Sequence, residues 1–239
     1  MTNRILKILI HIVPAVLFSL SLQAQQPLDK NWSAEKIKGT RFFPYVRYEG
    51  FPFLNDRWVI GKMVFADGEV SDTLRLMYSS YRDDVIYFNR NNSTRIVIDK
   101  ASLDGFSFNE KDGRVRVFRK LYSDNHWKGF HYFEVLVEGD TELLCFRKVD
   151  LISTSVYKDK DGFLKNMVYS PVYSYYIYSP GKGYLPVKKN IFSLLSKFDK
   201  TQQKPIKKML RKKRISIVDE DTFVQAWKAI VQEGYQIKF

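Results

Sequence analysis

The 239-residue chain is poor in the residue types that usually announce chemistry: it has one cysteine and three histidines. Cys145 has no second thiol to pair with, so the chain forms no internal disulfide. A chain of this length can rely on its apolar core instead. Within Leu143-Leu144-Cys145-Phe146 the thiol reads as a small buried hydrophobe. No His or acid lies near it in sequence, and its context matches no cysteine-enzyme signature. His126 and His131, in His-Trp-Lys-Gly-Phe-His, do not have a metal-ligand spacing. No G-x-S-x-G, H-E-x-x-H or phosphate-binding glycine loop is present. Asp159-Lys160-Asp161-Gly162 lacks the bidentate Glu of a calcium loop and reads as a turn. Asp83-Asp84 could supply half of a carboxylate pair, but no second carboxylate can be assigned from sequence. These absences predict no catalytic residues, no metal site and no cofactor.

Long apolar runs are also missing. The longest such stretch, Ile8 to Leu22, falls short of the roughly 20 residues of a membrane span and contains Pro14. Arg4 and Lys7 precede it and Leu-Gln-Ala ends at Ala24, so residues 1–24 read as a secretory signal peptide. This predicts an exported chain that is periplasmic, outer-membrane-associated or extracellular. No cysteine lies directly after the apolar run, which argues against a lipid anchor.

Charge is plentiful but segregated. Residues 25–181 hold 23 Lys and Arg against 21 Asp and Glu, whereas residues 182–239 hold 14 against 5. The net charge of +13 is therefore concentrated in the C-terminal quarter. That shift marks the main boundary in the chain.

Residues 25–57 read as an irregular lead-in, because Pro44 and Pro52 interrupt its aromatic stretches. The Phe42–Phe53 zone is expected to plug against the sheet. Residues 58–187 alternate short β-rich runs with turn signals such as Asp67-Gly68, Asp112-Gly113, Gly139-Asp140 and Asp161-Gly162. Over 188–239 the period becomes helical, with Asn190 and Asp219 as caps and Phe223, Trp227, Ile230 and Val231 as one apolar stripe. The expected fold is α+β: a meandering antiparallel sheet (a roll, sandwich or partial barrel) followed by a basic C-terminal helical segment packed on it.

Two constellations stand out as candidate contact surfaces. Lys204, Lys207, Lys208, Arg211, Lys212, Lys213 and Arg214 place seven cations in eleven residues, opposite the apolar positions Ile206, Met209 and Leu210. This pattern suits an anionic envelope polymer or membrane surface, or the solvated face of a docked helix. Nucleic acid is excluded by export and by the lack of interleaved stacking aromatics. Tyr173, Tyr175, Tyr176 and Tyr178 form the second, a candidate aromatic surface for ligands such as sugar rings, or ordinary strand formers.

Several motifs together resemble a group of uncharacterised exported proteins of Bacteroidota-type bacteria. They are the signal ending in Gln-Ala-Gln-Gln, Tyr48-Glu-Gly-Phe-Pro-Phe-Leu54 leading to Trp58-Val-Ile-Gly61, and the strand around Gly129–Tyr132 with Glu134-Val-Leu136. A Lys148-centred strand and the basic helix followed by a capped helix complete the set. The chain departs from the group at Leu76-Met77-Tyr78, where a more polar strand end is expected. The resemblance implies compartment and architecture, and no activity.

The expectation is a non-catalytic exported protein, in the envelope or secreted, that binds a ligand or a protein partner. The alternatives are a carbohydrate-active enzyme using a carboxylate pair and a structural envelope component.

Overall fold

A computed structural model of the chain describes residues 34–44, 48–124, 128–165 and 167–239. The signal segment with its cut after Ala24, the start of the lead-in and His126 lie outside the described residues. The strands are β1 (Gly39–Arg41), β2 (Tyr48–Glu49), β3 (Val59–Phe65), β4 (Leu74–Ser79), β5 (Asp84–Asn89), β6 (Thr94–Ile98) and β7 (Leu103–Asn109). They continue as β8 (Val115–Ser123), β9 (Gly129–Val137), β10 (Glu142–Ser153), β11 (Tyr157–Lys158), β12 (Leu164–Lys165), β13 (Met167–Ser179) and β14 (Gly183–Val187). Three helices follow: α1 (Ile191–Leu195), α2 (Lys200–Lys212) and α3 (Glu220–Gln232). The fold is α+β, as expected: a mainly antiparallel sheet with a C-terminal helical segment.

The sheet runs β1-β6-β5-β4-β3-β7-β8-β9-β10-β13-β14, with β2 added in parallel beside β13. From β3 onward it is a meander with one jump, from β6 at one side of β3 to β7 at the other; β11 and β12 form a separate hairpin between β10 and β13 in sequence, while β1 and β2 lie beside β6 and β13. In a flat sheet β6 and β7 would lie about 19 Å apart, four spacings of ~4.8 Å. The connection Asp99–Ser102 reaches only ~17 Å even when extended. It is in fact a 3-10 turn capped by the Asp99 side chain. The sheet therefore has to curl, bringing β4 over β7, β8 and β9. Tyr78 of β4 accordingly sits 5.2 Å from the Phe106 ring, 5.4 Å from Phe118 and 6.3 Å from Tyr132.

The inner face of the curl is the core. Burial alternates strictly along Val59–Phe65, as the sequence pattern requires of a strand with one wet face. Met63, Leu76, Phe106, Phe108 and Phe118 are essentially inaccessible. Further along, the same face is covered by the helices: Leu143 and Ile177 pack with Leu194, Phe198, Ile206, Leu210, Phe223 and Trp227. Each helix begins or docks for a legible reason. Asn190 accepts from the Ser193 N–H, and Asp219 and Thr222 form a reciprocal capping box at α3.

Two sequence expectations change. Met167–Ser179 form one long strand, β13, that runs straight through Pro171, where a proline is expected to interrupt a strand, while Leu164–Lys165 pair separately with β11. Pro171 pairs with Val149 of β10 on one side. On the other side β14 reaches only Tyr175 and β2 only Val168, so no partner needs the missing N–H. The lead-in is also less irregular than its prolines suggest. β1 pairs with β6 and β2 with β13, while the Leu54 N–H donates to the Tyr78 carbonyl and the Tyr81 N–H to the Pro52 carbonyl. Phe42 is buried and meets Phe53 edge-on at 6.1 Å, so the expected plug is present. Strands of two or three residues carry no readable period, which is why they escape a sequence pattern.

Gly50 is what lets the lead-in cross β13. Its φ is +74°, and a Cβ there would collide with the Tyr169 carbonyl oxygen. Gly50→Ala should lower the urea-unfolding free energy by about 2 kcal/mol and make the lead-in the first site of limited proteolysis. An unchanged urea midpoint and digestion pattern would show that the crossing is not needed.

Candidate functional site

The strongest polar constellation was not singled out by the sequence. Arg116 on β8, Glu134 on β9, Arg147 on β10 and Glu220 in the first turn of α3 form one continuous charge chain. Arg116 donates to both Glu134 oxygens at 2.7 Å. Arg147 donates through Nε to Glu134 at 2.5 Å and through its two Nη groups to both Glu220 oxygens at 2.7 and 2.6 Å. Tyr175 donates its hydroxyl to Glu220 at 2.7 Å, and the Arg147 guanidinium lies 4.8 Å from the Tyr173 ring centre. Arg147 and Glu134 side chains are only 5% and 6% exposed.

This chain floors an open concavity of about 980 Å³ between the sheet and α3. Its rim adds Glu110, Asp112, Arg114, Asp221 and Lys228. The chain is local in space and scattered in sequence, so no motif announces it. One signal was available: charged residues at inward-facing positions of otherwise apolar strands, such as Arg147 two residues after Cys145.

Protonation states follow from the geometry. Burial alone would raise the Glu220 pKa, but the hydrogen bonds and charge of Arg147, with Tyr175, outweigh it and hold it below the usual carboxylate value. Burial opposes the charge on Arg147 too, yet Glu220 and Glu134 keep it firmly protonated. Burial drives the Tyr175 hydroxyl up, and its bond to Glu220 drives it further. Cys145, whose register partners are Tyr175 and Glu134, is fully buried and its thiol is pushed up by burial.

Asp83 and Asp84 behave differently from a catalytic pair. Asp83 sits at φ +58°, a left-handed conformation that Asp tolerates better than most residues. Its carboxylate accepts from Tyr78 Oη at 2.6 Å, from Lys100 Nζ at 2.8 Å and from the Tyr132 N–H at 3.3 Å, while His131 Nδ1 lies 2.9 Å away. β9 pairs with β10 only over Glu134–Val137, and the β4–β5 turn occupies the gap beyond. There the Val149 N–H donates to the Ser80 carbonyl. Asp83 is therefore the polar plug of that gap, with its acceptor sites taken. Burial, and then the neighbouring Asp83 charge, lifts the Asp84 carboxyl, with Lys100 opposing.

The four tyrosines do not make one surface. Tyr173 and Tyr175 pair with Arg147 and Cys145 and face the helices, whereas Tyr176 and Tyr178 pair with Leu144 and Glu142 on the opposite face. There they pack with Phe133 and Tyr184. The period of two, which makes a strand, splits the set. Only Tyr173 lines the concavity and keeps 42% exposure.

The basic residues do share a surface. Lys204, Lys207, Lys208, Arg211, Lys212, Lys213 and Arg214 are all exposed, with Ile206 and Leu210 buried on the other side of α2. Lys213 pairs with Glu233 at 2.9 Å. Among the described residues the other six make no ion pair. No group of His, Cys, Asp and Glu among the described residues is arranged to hold a metal.

None of the protein families, curated proteins or solved structures compared with this chain matches it.

The bond to Arg147 sets a pH dependence. Because Glu220 is held below its free value of 4.5, its contribution is complete above about pH 4.5 and is lost as pH falls through the lower folded pKa. Unfolding free energy measured in urea should drop over that acidic window. Glu220→Gln should be less stable at pH 7 and flatter below pH 4.5; parallel curves for the two proteins would refute the assignment.

Proposed function

We propose that this is an exported, non-catalytic binding protein of the cell envelope, held by α2 to an anionic lipid surface. The observation that carries the reading is the set of five cations without an ion pair on one exposed face of α2, with Arg214 just beyond its end. At ~100° per residue, Lys204, Lys207, Lys208, Arg211 and Lys212 spread over roughly 100–240° from Ile206, away from the seam that anchors α2. A face with neither acidic partners nor an apolar task supports an electrostatic contact better than a purely structural role. The signal-like residues 1–24 support export, and the resemblance to exported proteins of Bacteroidota-type bacteria agrees in compartment. No helix among the described residues is long and apolar enough to cross a membrane.

The reading as a carbohydrate-active enzyme is less well supported. Glycoside hydrolysis needs one carboxyl kept protonated near neutral pH. Glu220 is held ionised by Arg147, which Glu134 also binds, Asp83 has its acceptor sites filled, and Asp84, whose carboxyl burial does lift, does not line the concavity.

Vesicle co-sedimentation tests the contact. With about a third anionic lipid, Lys207→Glu, Lys208→Glu, Arg211→Glu and Lys212→Glu together should reduce the bound fraction by more than ~100-fold in partition coefficient. Binding of the unaltered protein should fade as salt rises to about 0.5 M. Salt-insensitive binding that survives the four reversals would remove the electrostatic contact. Preference for an acidic polysaccharide over vesicles would move the partner from lipid to polymer.

A further inference from the structure

The concavity under α3 has a charged floor that apolar packing alone does not require. Burying Glu134 and Arg147 is costly, and well-packed apolar residues in their place would be equal or better for stability alone. Their charges also cancel inside the wall: each guanidinium is held by carboxylates, and each of these two carboxylates by a guanidinium. An anionic ligand needs a free cation on the floor and a cationic ligand a free carboxylate. The four floor residues offer neither, and the rim is mixed, with Arg114 and Lys228 among Glu110, Asp112 and Asp221. What the floor does offer are the partly exposed edges of Arg116 and Glu220, 21% and 30% accessible, supplemented by Gln225 and Asn55 on the walls. Beside them stands the half-exposed ring of Tyr173.

We propose that this concavity binds a neutral polyhydroxylated ligand, a segment of an oligosaccharide chain. Adjacent hydroxyls of a sugar donate and accept at the spacing of a guanidinium or carboxylate edge, and do so without disturbing a paired network. The apolar face of a pyranose stacks on an aromatic ring, and Tyr173 presents one at the level of Arg147. A volume of about 980 Å³ holds more than one sugar ring, so a chain segment fits better than a monosaccharide. The site is independent of the cations of α2, which do not line it.

The test uses the exported protein titrated with neutral hexasaccharides of glucose, xylose, mannose and N-acetylglucosamine, alongside a uronate oligomer and a zwitterionic tripeptide. Nuclear magnetic resonance of the arginine Nε–H groups is the readout. A neutral oligosaccharide should shift the Arg116 and Arg147 signals, with affinity unchanged between about 0.05 and 0.5 M salt. Tyr173→Ala should weaken it about tenfold. Gln225→Trp, at an exposed position of α3 lining the opening, should block binding with an unchanged thermal melt. The charge-reversed α2 variant should bind as the unaltered protein does. The proposal is overturned if no neutral oligosaccharide binds more tightly than about 10 mM. It is equally overturned if the uronate or tripeptide binds best with salt-sensitive affinity, or if binding survives both Tyr173→Ala and Gln225→Trp.

Discussion

The bidentate bond between Arg147 and Glu220 is the point where the two layers of this protein are fastened. The helices cover the sheet through apolar contacts, and such contacts are non-directional. They would allow α3 to slide along the curled face. One guanidinium with two fixed edges, its Nε side bound to Glu134 and both Nη groups to the first turn of α3, sets the angle and register of the helix. The capping box at Asp219 and Thr222 fixes where that turn begins, and so where Glu220 is presented.

The curl of the sheet makes that bond possible. A short link from β6 to β7 forces β4 over β8 and β9, which gathers Tyr78, Phe106, Phe118 and Tyr132 into an aromatic core. The same core leads into the charge chain along β8 and β9, where Phe118 is followed inward by Arg116 and Tyr132 by Glu134. Where β9 and β10 part, Asp83 accepts the Tyr132 N–H of β9 together with the Tyr78 hydroxyl and Lys100 Nζ. Apolar packing and two polar devices thus divide the work: aromatics fill the curl, Asp83 plugs its gap, and Arg147 fixes its cover.

Much of the frame is legible in the residues. The β-rich runs of 58–187 give strands such as Asp84–Asn89 and Leu103–Asn109, and the cap Asp219 opens α3. Each carries its own local signal, a short run of strand formers between turn residues in one case and caps in the other. β1, β2 and the passage of β13 through Pro171 were not legible, because they depend on which neighbour has a vacant edge. The basic face of α2 was legible as a run in sequence and survives as a surface in space. The tyrosine zone was equally visible as a run, but a strand sends alternate residues to opposite faces, and only Tyr173 reaches the concavity. The charge chain was invisible for the converse reason: its four members lie on three different strands and a helix, and nothing in the spacing between Arg116 and Glu220 encodes their meeting.

A double-mutant cycle across Arg147 and Glu220 tests the central claim most directly. Unfolding free energies at pH 7 would be measured for the unaltered protein, Arg147→Met, Glu220→Gln and the double variant. A fastening bond between sheet and helix predicts a coupling energy of about 2 kcal/mol or more, with the double variant less destabilised than the sum of the two single changes. Additive losses, with a coupling near zero, would contradict it and leave the helical layer held by apolar packing alone.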